Sequence, residues 1–173
     1  MNYNFTTMTP TLFYYNQNAR SFAESTISVD FSETQNRFLN KLPSDAHILD
    51  FGCGSGRDTQ YFLEKGYHVN ALDGSNGIWA CSSILHLPKN ELKTVFEKML
   101  TALKENGWIY TSFKYGTFSG ERNERYFTDF TEKSFLKFAQ NIERLDIVEH
   151  WLTGDVRPGR GDERWLNLLL QKK

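Results

Sequence analysis

Ile48-Leu49-Asp50-Phe51-Gly52-Cys53-Gly54-Ser55-Gly56-Arg57-Asp58 is the stretch on which the reading of this chain turns. His47 to Phe51 is a short apolar run that stops at glycine, the pattern of a strand covered on both faces. Arg57 to Lys65 reads as a helix and meets Gly66 at the position where helices end in a left-handed residue. Between them, Gly52, Gly54 and Gly56 permit positive φ and let backbone N–H groups approach a ligand that a Cβ would push away. In open parallel sheets ligands sit at the carboxyl ends of the strands, where this turn lies. The spacing separates cofactors. A dinucleotide turn, G-x-G-x-x-G, needs Gly or Ala at position 57, and the chain has Arg57, so an NAD-linked oxidoreductase is disfavoured.

Two acids flank the turn. Asp50 closes the first strand, where its carboxylate can meet an ammonium group. Tyr67 to Leu72 reads as a second strand closed by Asp73-Gly74, and a carboxylate there can accept bonds from both ribose hydroxyls. Further along, Ile78 to Leu85 is a third apolar strand. Pro88 then starts a long helix with Leu92, Val95, Phe96, Met99, Leu100 and Leu103 on one face, closed by Asn106-Gly107. Trp108 to Phe113 is a fourth strand, and Gly116 to Asp129 is charged enough to read as a surface loop. Thr131 caps a helix to about Gln140. Leu145 to Leu152 and Arg164 to Leu170 pair as a terminal hairpin around the loop from Gly154 to Gly161. Upstream, Tyr14 to Phe22 is helical, and Ser32-Glu33 opens a second helix with Phe38, Leu39 and Leu42 on one face. Strands alternating with helices give an α/β fold, a mostly parallel sheet with an antiparallel C-terminal hairpin. One domain over residues 1–173 is expected, with helices in 1–42 and the sheet core in 47–173.

Bulk properties narrow the partners. Net charge is -1, which argues against nucleic acid, since phosphate binding needs a basic surface. No apolar stretch is long enough to span a bilayer. Met1 to Pro10 lacks the charged start and apolar run of a signal peptide. Cys53 and Cys81 make no disulfide framework, so a cytoplasmic location is expected, with both as small buried apolar residues. His47, His68, His86 and His150 show no metal-ligand spacing, and no metal is expected.

Ile48 to Asp58 resembles motif I of class I methyltransferases, and Ile78 to Leu87 resembles their fourth strand and the residues after it. Tyr14-Tyr15-Asn16-Gln17-Asn18-Ala19 resembles the N-terminal lid helix of small bacterial members, including tellurite-resistance-type enzymes. Asp155-Val156-Arg157-Pro158-Gly159-Arg160 and Trp165-Leu166-Asn167 are similar to their C-terminal hairpin. The resemblance implies a Rossmann-like sheet, S-adenosylmethionine as cofactor and a small-molecule methyl acceptor, tellurite or a similar oxyanion among the candidates. It assigns the methionine end of the cofactor to Asp50, Gly52 and Gly54, and its ribose to Asp73 with Gly74 alongside. Tyr14, Arg57 and Ser82 become secondary contacts. No acid or base is obligatory, because the sulfonium is already activated. The substrate-facing candidates are therefore open: His86 as base or orienting group, Tyr115 as a closing ring, and Arg157, with Arg160, as anion holders.

One unit of that family is missing. Its second strand is followed by a helix, a strand and a helix before the fourth strand, whereas here Leu72-Asp73-Gly74-Ser75-Asn76-Gly77-Ile78 runs straight on. The return must cover a strand length of ~17 Å and two strand spacings of ~4.8 Å. It must also pass around the first strand, which usually takes about a dozen residues. Three arrangements answer this: the sequence omits a stretch of the natural chain, two copies exchange halves in a swapped homodimer instead of forming a monomer, or the sheet is rearranged and the site lost. The last two lead to the main alternative, a cofactor-impaired, non-catalytic relative, because the missing unit would normally wall the adenine.

Overall fold

The computed structural model describes residues 10–69, 75–157 and 159–173, the side chain of Leu12 excepted. Two helices, α1 (Pro10–Thr26) and α2 (Ser32–Leu39), lead into β1 (His47–Asp50), α3 (Arg57–Glu64), β2 (His68–Val69) and β3 (Ser75–Ala80). A single 3-10 turn, Ile84–His86, precedes α4 (Lys89–Ala102) and the long β4 (Leu103–Lys114). Then follow β5 (Ser119–Arg122), β6 (Arg125–Thr128), α5 (Glu132–Ala139), β7 (Leu145–Gly154) and β8 (Arg164–Lys172). Six strands form the main sheet in the order β2-β1-β3-β4-β8-β7. The first four are mutually parallel, and β8 runs antiparallel to both of its neighbours.

Period-two alternation sorts the side chains into two cores. Ile78, Ile109, Leu168 and Leu170 face Leu92, Phe96, Met99 and Leu100 of α4 and Phe135 of α5. Trp79, Tyr110 and Leu169, one residue on or back, face Phe38 of α2 and Phe62 of α3. Each sheet face is thus covered by helices, which is why the strands read as continuous apolar runs. Trp79 and Tyr110 stack with ring centroids 4.0 Å apart at the centre of the second core.

Several boundaries differ from the sequence reading for local reasons. The third strand begins at Ser75 and stops at Ala80, because Ser82 takes a positive φ of 51° and the chain tightens into the 3-10 turn. Helix α4 ends at Ala102. Leu103 already pairs with Ser75, and the residues after it bulge before Trp108 pairs with Gly77, with Asn106 at φ 62°. Residues 116–129 are no loop: β5 and β6 pair through a two-residue turn, Asn123 (φ 51°) and Glu124 (φ 60°), the left-handed pair that matches strand twist. Thr131 caps α5, its side chain accepting from the Ser134 N–H at 3.2 Å while Ser134 Oγ accepts from the Thr131 N–H.

Ile48 of β1 pairs with Val69 on one side and with Gly77 on the other, so β2 and β3 flank β1 and the sheet is not rearranged. The link between them, residues 70–74, carries Asp73 and Gly74, which lie outside the described residues.

Candidate functional site

The carboxyl ends of β1, β3 and β4 open into a cavity of about 1060 Å³. Its floor is the turn Gly52 to Ser55, Cys81 to Ser83 and Ser112. Helix α1 lies above it, and the β5–β6 hairpin and the loop between β7 and β8 wall it.

On the floor, Gly52 (φ 91°) and Gly54 (φ 54°) hold conformations that a side chain resists. A Cβ on Gly52 would meet Ser83 Cβ at 2.7 Å, so at that position the turn and the residues after β3 approach as closely as glycine allows. Beside this contact the buried Ser83 Oγ has no hydrogen-bond partner among the described residues. Asp50 stands behind the turn and does not line the cavity. Thr59 Oγ1 donates to it at 2.6 Å, and burial pushes its carboxyl up to about 6.

Asp58, one residue into α3, is the acid that does reach the cavity. It is buried and takes three donors: Gln35 Nε2 at 2.8 Å, Arg57 Nε at 2.8 Å and Trp79 Nε1 at 2.7 Å. Arg57 is held by this pair and by stacking 4.9 Å over the Phe31 ring. The two acidic roles at the turn therefore divide, Asp58 tying α2, α3 and β3 together beneath the turn and Asp50 standing behind it. Ser82 donates its N–H to Ser112 Oγ at 3.0 Å. Cys81 is half-buried rather than buried, and desolvation pushes its thiol up to about 12, which makes it unreactive at neutral pH. Cys53 is exposed rather than buried, because it projects from a turn whose neighbours are glycines.

On the wall, His86 uses both ring nitrogens. Its Nδ1 lies 2.7 Å from the carbonyl of Tyr126 on β6, and its Nε2 lies 3.0 Å from the Tyr15 hydroxyl on α1. Burial pushes the imidazole down to about 4. Arg157 is bound to Asp155 through two nitrogens, at 2.8 and 2.5 Å. Burial alone would raise the Asp155 carboxyl, but the bonds from Arg157 and Trp165 hold it well below the usual range. Lys114, paired with Asp155 and Glu163, has its amine pushed down by burial to about 8. Arg122 grips Asp129 through two bonds of 2.9 Å. Arg125 differs from these cations: it has no carboxylate partner among the described residues, and its buried Nε is unpartnered. Its guanidinium lies 4.3 Å over the Tyr14 ring and 5.1 Å over Phe127.

Of the residues singled out in the sequence, Gly52, Gly54, Arg57, Ser82, His86, Tyr115 and Arg157 line this one cavity. Tyr115 sits at its exposed edge, its hydroxyl donating to Glu132 at 3.0 Å. Tyr14 and Asp50 do not line it, whereas Tyr15 does. Asp58, Ser83, Arg122 and Arg125 are additions that the sequence did not signal. Of these, Arg122 and Arg125 flank the Asn123-Glu124 turn, and Asn123 was the one hint that their segment folds back on itself. Among the described residues no group of His, Cys, Asp and Glu side chains is placed to hold a metal ion.

A family model described as tellurite resistance protein TehB matches residues 30–116. No curated protein sequence gives a significant match. Among solved structures, the chain resembles the Burkholderia thailandensis 1,6-didemethyltoxoflavin-N1-methyltransferase with bound 1,6-didemethyltoxoflavin and S-adenosylhomocysteine. The TM-score is 0.73 at 17% identity, over 94% of this chain and 85% of that one. A TehB-like SAM-dependent methyltransferase from Corynebacterium glutamicum superposes with a TM-score of 0.62 at 18% identity, over 93% of this chain and 97% of that one. TehB from Haemophilus influenzae gives 0.60 at 11% identity, over 90% of this chain and 67% of that one. At such identities the likeness is one of fold.

Proposed function

The chain belongs to the TehB family of tellurite resistance proteins, and on that footing we propose that it is an S-adenosylmethionine-dependent methyltransferase of a small-molecule acceptor. The observation that carries the reading is the floor of the cavity: two left-handed glycines, of which Gly52 packs to contact distance against Ser83, with the unpartnered buried Ser83 hydroxyl beside it. That is a cradle a Cβ would fill, and it fits the methionine half of the cofactor. Backbone N–H groups of the turn and Ser83 Oγ would meet the carboxylate; Asp50, assigned to the ammonium from the sequence, stands behind the turn and does not line the cavity. Asp73 and Gly74 keep their assignment to the ribose. When bound, the cofactor supplies a methyl group already activated on sulfonium.

The chain's own residues then orient and enclose. Tyr15 and Phe22 of α1 roof the cavity and exclude water, while the arginine-bearing wall receives the acceptor. His86 is not available as a base while its Nε2 holds Tyr15. Its role on this reading is to fix the wall. No described helix is long and apolar enough to cross a membrane, and a cytoplasmic enzyme is the expected setting.

Calorimetry with S-adenosylhomocysteine tests the proposal. Micromolar binding is the expected result, and no heat up to millimolar concentration would overturn it. Asp73→Ala should weaken that binding, and unchanged affinity would refute the ribose assignment. The short link between β2 and β3 favours a second reading, in which two copies exchange halves across it. Light scattering behind a sizing column decides between them, since the swapped form elutes at twice the monomer mass.

A further inference from the structure

Tyr15 and His86 carry a directional feature that the methyl-transfer reading leaves unused. The Tyr126 carbonyl can only accept, so the 2.7 Å contact puts the imidazole proton on Nδ1. A neutral imidazole protonated there offers Nε2 as an acceptor, and the Tyr15 hydroxyl 3.0 Å away is its donor. The chain of donors therefore runs one way, from Tyr15 to His86 to the β6 backbone. Burial keeps His86 neutral well below pH 7, so the direction holds in ordinary buffers. With its only proton committed, the Tyr15 oxygen has nothing but lone pairs left for the cavity it lines.

We propose that Tyr15 is the specificity-determining residue of the acceptor site, and that it selects small acceptors carrying an N–H or O–H. His86 is the positioning residue that sets this preference. The proposal rests on the methyltransferase reading, because it concerns the acceptor of that same cavity. Its physical basis is that a half-buried oxygen left with lone pairs alone favours a ligand with a proton to give, because a ligand without one leaves polar atoms facing each other unpaired. The Tyr15 ring is held edge-on by Tyr14 at 5.6 Å and Phe22 at 5.3 Å, so its hydroxyl does not swing freely. Phe127, 4.8 Å from the His86 ring, gives the same part of the wall a flat apolar surface.

The experiment compares benzimidazole with 1-methylbenzimidazole, two flat probes that differ in one N–H, by calorimetry on the full chain saturated with S-adenosylhomocysteine. The native protein should prefer benzimidazole by tenfold or more. Tyr15→Phe keeps the ring packing and should erase the preference while leaving S-adenosylhomocysteine affinity within twofold. His86→Leu frees the Tyr15 proton to point into the cavity and should shift the preference toward 1-methylbenzimidazole, a change that loss of packing alone does not produce. Equal affinities in the native protein overturn the proposal, as does a preference that survives Tyr15→Phe, or no binding of either probe at millimolar concentration. Failure of S-adenosylhomocysteine to bind at all is a separate result, and it removes the methyltransferase reading instead.

Discussion

The floor and the wall of the cavity are built on opposite principles. The floor is mostly backbone: a short turn with glycines at positive φ, and one tight contact between Gly52 and Ser83 after β3. The wall is side chains brought from far apart, Tyr15 on α1, His86 on the 3-10 turn, Arg122 and Arg125 on the hairpin, and Lys114 and Arg157 around β8. A backbone site needs a local motif and tolerates almost no substitution. A side-chain wall needs only a fold that delivers its residues, and each of them can change alone. The difference predicts where the cofactor's identity is fixed and where the acceptor's is.

Asp58→Ala should have the largest effect, because the floor depends on this one side chain. It leaves the half-buried Arg57 without its partner and strands the donors of Gln35 and Trp79. A loss of about 3–5 kcal/mol is expected in urea unfolding; a loss below about 1 kcal/mol would mean the floor stands without it. Gly52→Ala comes next. Its Cβ meets Ser83 and its φ is strained, so S-adenosylhomocysteine should bind about 100-fold more weakly, a loss near 2.7 kcal/mol. Arg122→Ala touches only the wall. It uncovers the buried Asp129 and should cost about 2 kcal/mol of stability, yet leave S-adenosylhomocysteine affinity within twofold. A large drop in that affinity would erase the division between floor and wall.

In pH dependence the acid behind the turn and the histidine of the wall differ in sign. Asp50 is pushed up to about 6, so the folded chain holds its proton more tightly than the unfolded chain, and stability declines as pH rises from about 4 through 6. His86 is pushed down to about 4, so its contribution is complete above about 6.5 and is lost as pH falls toward 4. The stability of Asp50→Asn relative to the native chain should therefore rise from pH 4 to pH 7, and that of His86→Gln should fall. Thermal melts across that range measure both, and slopes of the same sign would contradict the assignments.

The same contrast governs what was legible in the sequence. The glycine turn was readable because everything it needs lies within a dozen residues and each glycine has a stated conformational reason. The buried strands and α4 were readable from periodicity, with errors where Ser82 and Asn106 turn the chain at positive φ and at the start of β3, where Ser75 to Gly77 carry no apolar signal. The wall was not readable. Glu121-Arg122-Asn123-Glu124-Arg125 looks like a solvated run, since charge in sequence carries no sign of which face a hairpin presents. Asp58 was hidden for a related reason: its value comes from Gln35 and Trp79, and no local pattern brings those to it. The missing unit was read by subtraction between Ser75 and Gly77, whereas β3 already begins at Ser75 and pairs with β1 from Gly77 on.

The β5–β6 hairpin pairs only with itself, as a two-stranded sheet apart from the six-stranded one. Lengthening it, shortening it or exchanging its arginines breaks no rung of the main ladder. An insertion at Asn123-Glu124 is therefore among the cheapest changes this molecule can accept, and it falls on the wall of the cavity. On the proposed reading, changes there would alter which acceptor fits while the cofactor turn stays as it is.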